Sequence, residues 1–292
     1  MPRQSGFFIM PKMEAQALKE KLKGKNRIRE FRRIAQSLAS KIASHEGVIG
    51  IVFIGGLVRG FADKFSDVDI TVFLKKKDKR LRRRIRSIGV EEQKRLGVDV
   101  DLEVHFLEDF KRERWSEAYR WEMSRAEIVF DPEREIKGIL ERKLKLPEDF
   151  WVKRVVVCAE YLKWYCCPPK EKVGTMAGAW VERGDLASAH YCLGYAVDLL
   201  LRLVYALNME FVPAPKWRLF YADSLEWFPK GFIRHVEEAM TVKSLSAEDF
   251  GRRLEAVRKI WMEIPSRIRE TTGLTLNEVS RYYVERVLRQ GD

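Results

Sequence analysis

The chain is poor in cysteine. Of its 292 residues only 4 are Cys, at Cys158, Cys166, Cys167 and Cys192, and no two form a C-x-x-C pair. That spacing argues against a zinc ribbon or a dithiol redox motif, and a chain of this length can fold without disulfides. Reduced thiols and a cytoplasmic location are therefore expected. Nowhere do about 18 apolar residues run together, so no membrane span is expected. The opening MPRQSGFFIM holds too short an apolar stretch for a signal peptide. Internal repeats and low-complexity segments are missing too. With 46% hydrophobic residues, the chain is not of the disordered class.

What the chain has in excess is positive charge. The formal net charge is +12 and the pI about 9.5. Such a balance favours anionic partners, namely nucleotides, nucleic acid or acidic surfaces. A charged fraction of 34% also fits a heat-adapted source. The densest basic run is Lys75 to Gly97. Leu81, Ile85 and Ile88 make a helical stripe there, which predicts a helix over Asp78–Ser87. Its charges are either a solvated face or an electrostatic guide for a nucleotide or RNA backbone. Little aromatic residue is interleaved, so base stacking is not indicated.

The chain is organised around GIVFIGGLVRGFADKFSDVDITVFL, Gly50 to Leu74. Ile51, Val52, Phe53 and Ile54 read as a strand covered on both faces. Gly55 and Gly56 end it and allow a ligand close to the main chain. Asp67-Val68-Asp69 then opens a second strand, with both acids on one side. Two carboxylates about 5 Å apart repel by about 3 kcal/mol at an effective dielectric near 20. They escape by protonating, by facing water or by sharing a cation. A hard ion such as Mg²⁺ suits the last case and commonly shares its site with substrate phosphates. Backbone N–H groups at the glycine turn are placed to receive those phosphates.

Gly55-Gly56, ten residues and Asp67-Val68-Asp69 together resemble the pattern of the polymerase-β-like nucleotidyltransferase superfamily. Gly60 and Ser66 fit its common form as well, while Gly56 stands where that family usually carries Ser. The resemblance implies two Mg²⁺ ions (or Mn²⁺), an NTP, with ATP expected, seated by Gly55, Gly56 and Ser66, and a third carboxylate on a neighbouring strand. The strand VDVDLEVHFL, Val98 to Leu107, places Asp99, Asp101, Glu103 and His105 on one face. Asp101, centred in it, is the first choice for the third metal ligand, Glu103 the second and Asp99 the third. His105 is the weakest candidate.

The fold class expected is α+β: a nucleotidyltransferase domain with a mixed sheet and flanking helices over residues 1–146, then a helical bundle over 147–292. In the first domain, helices are expected over Met13–Ser44, Lys111–Arg125 and from Glu133, with a short strand over Ala126–Phe130. Beyond it, helices are expected over Val152–Tyr165, stopped by Pro168-Pro169, over Glu171–Glu182, and from Leu186 behind an Asp185 cap. In that last helix Leu186, Ala189, Leu193, Ala196, Leu200, Leu203 and Leu207 form a bundle seam. Asp198 and Arg202, four apart, are expected to pair. Ser246–Ile264 and Leu276–Leu288 are the final helices expected. VERGDLASAHYCLGYAVDLLLRLVYALN followed by PKW resembles the helical domain of kanamycin-nucleotidyltransferase-like proteins. By that resemblance the bundle helps select the acceptor, and Lys216 reaches a phosphate.

The expected function is transfer of a nucleoside monophosphate from NTP to an acceptor hydroxyl, with release of pyrophosphate. Asp67, Asp69 and Asp101 are the expected catalytic and metal-binding residues. The acceptor, a small molecule or RNA, is open. Two alternatives stand beside it. One is a non-catalytic nucleotide-binding or antitoxin-like module. The other is a ribonuclease of the HEPN type, which the bundle resembles, with Arg183 and His190 loosely matching the spacing of that type's Arg…His motif.

Overall fold

The computed structural model describes residues 22–167 and 174–289. It divides into two compact units, Met1–Lys145 and Leu146–Asp292.

In the first unit, alternating side chains sort the sheet into two faces. Its strands are β1 (Val48–Phe53), β2 (Val68–Leu74), β3 (Val100–Phe106) and β4 (Glu127–Phe130), in the order β3-β2-β1-β4. β1 runs antiparallel to β2 and β4, and β2 runs parallel to β3. A parallel pair needs a crossover. Here it is α3 (Lys79–Leu96), following α1 (Ile28–Ala43) and the five-residue α2 (Gly55–Arg59). Ile51, Phe53, Ile70, Val72, Leu102 and Val104 point to one face and meet Phe31, Leu38 and Ile42 of α1 and Ile85 and Ile88 of α3. The other face is covered by α4 (Leu107–Arg112), α5 (Glu117–Ser124) and α6 (Glu135–Leu144). There Val52 and Phe73 pack with Phe110, Trp115, Met123, Ile136 and Ile139.

Several boundaries differ from expectation. α1 starts at Ile28, and the expected stretch from Met13 to residue 21 lies outside the described residues. Arg27 N–H bonds Ala62 and the Asn26 amide bonds Gly60, so residues 26–27 clamp a loop instead of joining the helix. α3 continues through Gly89 to Leu96, well past Ser87. A side chain at Gly89 would lie 2.9 Å from Leu102, so the glycine lets helix and strand approach. The single helix expected over Lys111–Arg125 is two. The chain breaks at Glu113, and the Ser116 hydroxyl accepts from Tyr119 N–H to start α5.

The second unit is helical among its described residues: α7 (Phe150–Tyr165), α8 (Met176–Glu182), α9 (Leu186–Leu207), α10 (Pro215–Ala222), α11 (Phe232–Met240), α12 (Ala247–Trp261), α13 (Ile264–Thr272), α14 (Leu276–Tyr282) and a π-helical turn over Tyr283–Leu288. The Pro168-Pro169 stop and the start of the helix expected from Glu171 lie outside the described residues. Asp185 caps α9 by accepting from Ser188 N–H at 3.0 Å. The α9 seam from Ala189 to Leu207 is buried as its spacing predicts. α9 is long and apolar enough to cross a membrane, but 67% of that stretch is buried within the protein. Asp198 pairs with Arg202 at 2.7 Å, and the buried Arg218 joins them.

Candidate active site

β2 and β3 bring the acids together. Asp69 is directly opposite Asp101 in the parallel register, followed by Thr71 opposite Glu103 and Phe73 opposite His105. The same face therefore changes character along its length. At one end Phe73 packs on Phe110 with ring centres 4.7 Å apart. At the other stand Asp67 and Asp101, both exposed, and Asp69, half-buried.

Gly55 lies beside Asp69. Its φ is +62°, and a Cβ there would sit 1.7 Å from Asp69 Oδ2. Only glycine fits this left-handed, tightly covered position. A Cβ on Gly56 would meet the Phe61 carbonyl at 2.9 Å. A backbone atom cannot swing aside, which accounts for glycine where the family usually carries serine. The turn then closes with Gly60 N–H bonded to Gly56 O at 3.1 Å.

Crowding shows in the proton affinities. Asp69 is pushed up to about 7, chiefly by burial and then by the charge of Asp67, against the pull of Arg59, with Glu122 and Asp101 adding to the rise. Asp101 is also raised, by burial first and then by Glu103 and Asp67. Glu103 moves the other way, chiefly because the His105 ring lies against it, with Nε2 3.0 Å from Oε1. Tyr119 is raised as well, by burial and by Glu103, Glu113 and Glu122. Its hydroxyl and that of the fully buried Thr71 have no hydrogen-bond partner.

Three carboxylates offer the hard oxygen donors that Mg²⁺ takes. Among the described residues no three His, Cys, Asp or Glu converge tightly enough to hold a metal by themselves. This still fits Mg²⁺, which is usually held by one or two carboxylates with substrate phosphates completing its shell. Asp69, crowded by like charge, suits a cation chemically.

The other expected residues are arranged differently. The Ser66 hydroxyl is engaged inside its own turn, accepting from Asp63 N–H and donating to the Asp63 carboxylate. Asp99 accepts from Gln93 on α3. Lys216 belongs to the second unit, on α10, with its ammonium 5.9 Å from the Trp217 ring. Arg59 and Glu122 were not singled out in the sequence, yet both border Asp69. Gly55 N–H donates to Glu122 Oε1 at 2.7 Å, and Arg59 donates to the same oxygen at 3.0 Å. Arg59 had a weak signal, a cation inside the glycine turn, whereas Glu122 arrives from 67 positions away.

Residues 28–128 match the family model "Nucleotidyltransferase domain". The N-terminal unit is a nucleotidyltransferase domain. This agrees with the polymerase-β-like resemblance, and the glycine turn and paired aspartates lie within the match. Residues 114–218 match a second model, the domain of unknown function DUF4037, which overlaps the end of the nucleotidyltransferase domain. No curated protein matches the chain. Among solved structures, a nucleotidyltransferase-like protein from Exiguobacterium sibiricum is 12% identical, with a TM-score of 0.41, covering 89% of this chain and 80% of its own. A toxin–antitoxin structure with AMP-PNP is 15% identical with a TM-score of 0.31, covering 44% of this chain and 95% of its own. A mutant of the toxin–antitoxin pair MntA-HpeT is 14% identical with a TM-score of 0.31, covering 44% and 96%.

The ribonuclease alternative loses its histidine. His190 is buried, with Nδ1 2.6 Å from Arg253 and Nε2 3.2 Å from the Ser246 carbonyl. Arginine can only donate, so Nδ1 accepts and Nε2 carries the hydrogen. Both ring nitrogens are engaged in the core, while Arg183 lies exposed over Trp180.

Proposed function

We propose that the nucleotidyltransferase domain moves a nucleoside monophosphate from an NTP, ATP foremost, to an acceptor hydroxyl and releases pyrophosphate. One observation carries the reading: Asp69, opposite Asp101 and repelled by Asp67, lies directly on the Gly55 turn. Acids that crowd each other beside the backbone of a glycine turn suit a ligand that is both cationic and phosphorylated, a metal–triphosphate complex.

Asp67, Asp69 and Asp101 would hold Mg²⁺ or Mn²⁺, which would neutralise charge on the phosphates and on the attacking and leaving oxygens. The glycine turn positions the triphosphate so that its α-phosphorus faces the acceptor. The acceptor oxygen bonds that phosphorus, the bond to the bridging oxygen breaks, and pyrophosphate leaves in line. Asp101, raised from its ordinary value by burial and by neighbouring acids, takes the acceptor proton. Its register opposite Asp69 favours it over Glu103, whose carboxylate is turned to His105. Ser66 acts by shaping the turn before Asp67. Free thiols fit a cytoplasmic setting. The test is incubation with each labelled NTP and Mg²⁺ against small-molecule and RNA acceptors, reading labelled product and pyrophosphate. Product that vanishes in Asp69→Asn supports the reading, and product that persists overturns it.

A second reading, a nucleotide-binding module without turnover, is favoured by the Glu122 carboxylate already bound to the Gly55 N–H. Nucleotide binding with no pyrophosphate from any acceptor supports it.

A further inference from the structure

A phosphate oxygen at the glycine turn needs donors, and two are already committed to one atom. Glu122 Oε1 accepts from Gly55 N–H at 2.7 Å and from Arg59 at 3.0 Å. An amide and a guanidinium converging on one anionic oxygen are the donor types that also bind phosphate. The Arg59 side chain is 10% exposed and lies over Trp121, so it is fixed in place. The Glu122 side chain is 22% exposed and keeps a way out to solvent.

Glu122 is poorly placed for a purely structural ion pair. Its charge faces Asp69 and Tyr119 and disfavours ionisation of both. Its helix does not depend on the contact. α5 is capped by Ser116 and buries Trp121 and Met123. Three residues back on the same face of α5 is Tyr119, whose buried hydroxyl has no partner. A donor without an acceptor thus lies one helical turn from a carboxylate that faces a second acid, Asp69.

We propose that Glu122 is an internal stand-in for a nucleotide phosphate, holding the Gly55 and Arg59 donors until the triphosphate displaces it toward the Tyr119 hydroxyl. The proposal rests on the reading that the glycine turn seats phosphates. It makes Glu122 a regulator of nucleotide affinity, neither a metal ligand nor a proton acceptor. A protein held mostly in the plugged state binds more weakly by the fraction that is open. If nine in ten molecules are plugged, removing the plug tightens binding about tenfold.

The experiment is calorimetric titration of the full chain with Mg²⁺ and a non-hydrolysable ATP analogue, and separately with tripolyphosphate. Wild type, Glu122→Gln, Glu122→Asp and Tyr119→Phe are compared. Gln keeps the shape but not the charge, and Asp withdraws the carboxylate by one methylene should Gln fold poorly. The expected result is about tenfold tighter binding of both probes to the two Glu122 variants and several-fold weaker binding to Tyr119→Phe. A residue that merely orients the turn would give the opposite sign at Glu122. Wild-type binding with unchanged or weaker binding in the Glu122 variants overturns the plug and leaves the phosphate-seat reading standing. Binding of neither probe to wild type or to any variant overturns both.

Discussion

Both units bury charge, and Asp69 in the first is treated in the opposite way from the buried charges of the second. In the helical unit buried charges have partners. Arg253, 2% exposed, donates to His190 and to the Ala239 carbonyl. Asp249 is held down to about 2: burial alone would raise it, but the Lys243 and Ser244 amides and Arg252 outweigh that. Lys163 meets Glu160 and Ser280. In the nucleotidyltransferase domain Asp69 is raised to about 7 by burial and by like charge. Satisfied networks of the first kind hold a core in one arrangement. Uncompensated crowding of the second kind marks a place kept for a ligand.

The largest expected effect breaks the comparison on its functional side. Asp69→Asn should lower transfer by several orders of magnitude, roughly 10³-fold or more, because the charge that binds the cation is gone. Product formation with a competent acceptor measures this. The matching change in the other unit is Arg253→Met. It leaves His190 Nδ1 and the Ala239 carbonyl without their donor, and should destabilise the helical unit by about 3 kcal/mol. Urea unfolding checks it, with transfer chemistry at the other unit not directly touched.

Gly55→Ala should follow in size. The methyl would overlap Asp69 and the φ of +62° disfavours it, so a loss of about 2 kcal/mol together with weakened nucleotide binding is expected. Asp101→Asn should lose turnover while keeping much of the nucleotide affinity, and Glu103→Gln should be milder on turnover. The reverse order would move the third carboxylate to Glu103. The smallest effect concerns α3. If its arginines guide an RNA backbone, replacing the half-buried Arg82 and the exposed Arg83 and Arg84 with Ser should lower the salt dependence of RNA binding. An unchanged slope returns them to a solvated face.

Asp67 and Asp69 were legible as a pair because they lie close in sequence and strand alternation puts them on one face. The α9 seam, the Asp185 cap and the Asp198–Arg202 pair were legible for the same reason: each depends on spacing within one element. Glu122 was not legible, because only packing of α5 over the sheet brings it to Gly55. Strand alternation alone left Asp99, Asp101 and Glu103 equivalent. In the structure Asp101 lies opposite Asp69, Glu103 lies against His105 and Asp99 accepts from Gln93. The Gly56 substitution became intelligible only once the Phe61 carbonyl was seen above it. Composition likewise gave no sign that α3 would run past Ser87, since packing of Gly89 on Leu102 overrides its low helix propensity.

The central claim is that Asp69 is crowded so that a cation can relieve it, and the most direct test is stability against pH. Its pKa rises from an ordinary 3.8 to about 7 on folding. The folded state therefore holds the proton more tightly than the unfolded state, and stability falls as pH rises from about 4 to about 7. The protonated form's advantage is complete below the unfolded value and gone above the folded one. The shift corresponds to at most about 4 kcal/mol. Urea unfolding of wild type and Asp69→Asn at pH 5 and pH 8, with and without Mg²⁺ and a non-hydrolysable ATP analogue, reads it. The account predicts that wild type loses stability relative to the variant between these pH values. It also predicts that the Mg²⁺–nucleotide complex restores stability at pH 8 in wild type alone. Parallel pH dependence of the two proteins, with equal stabilisation by the ligand, would contradict it.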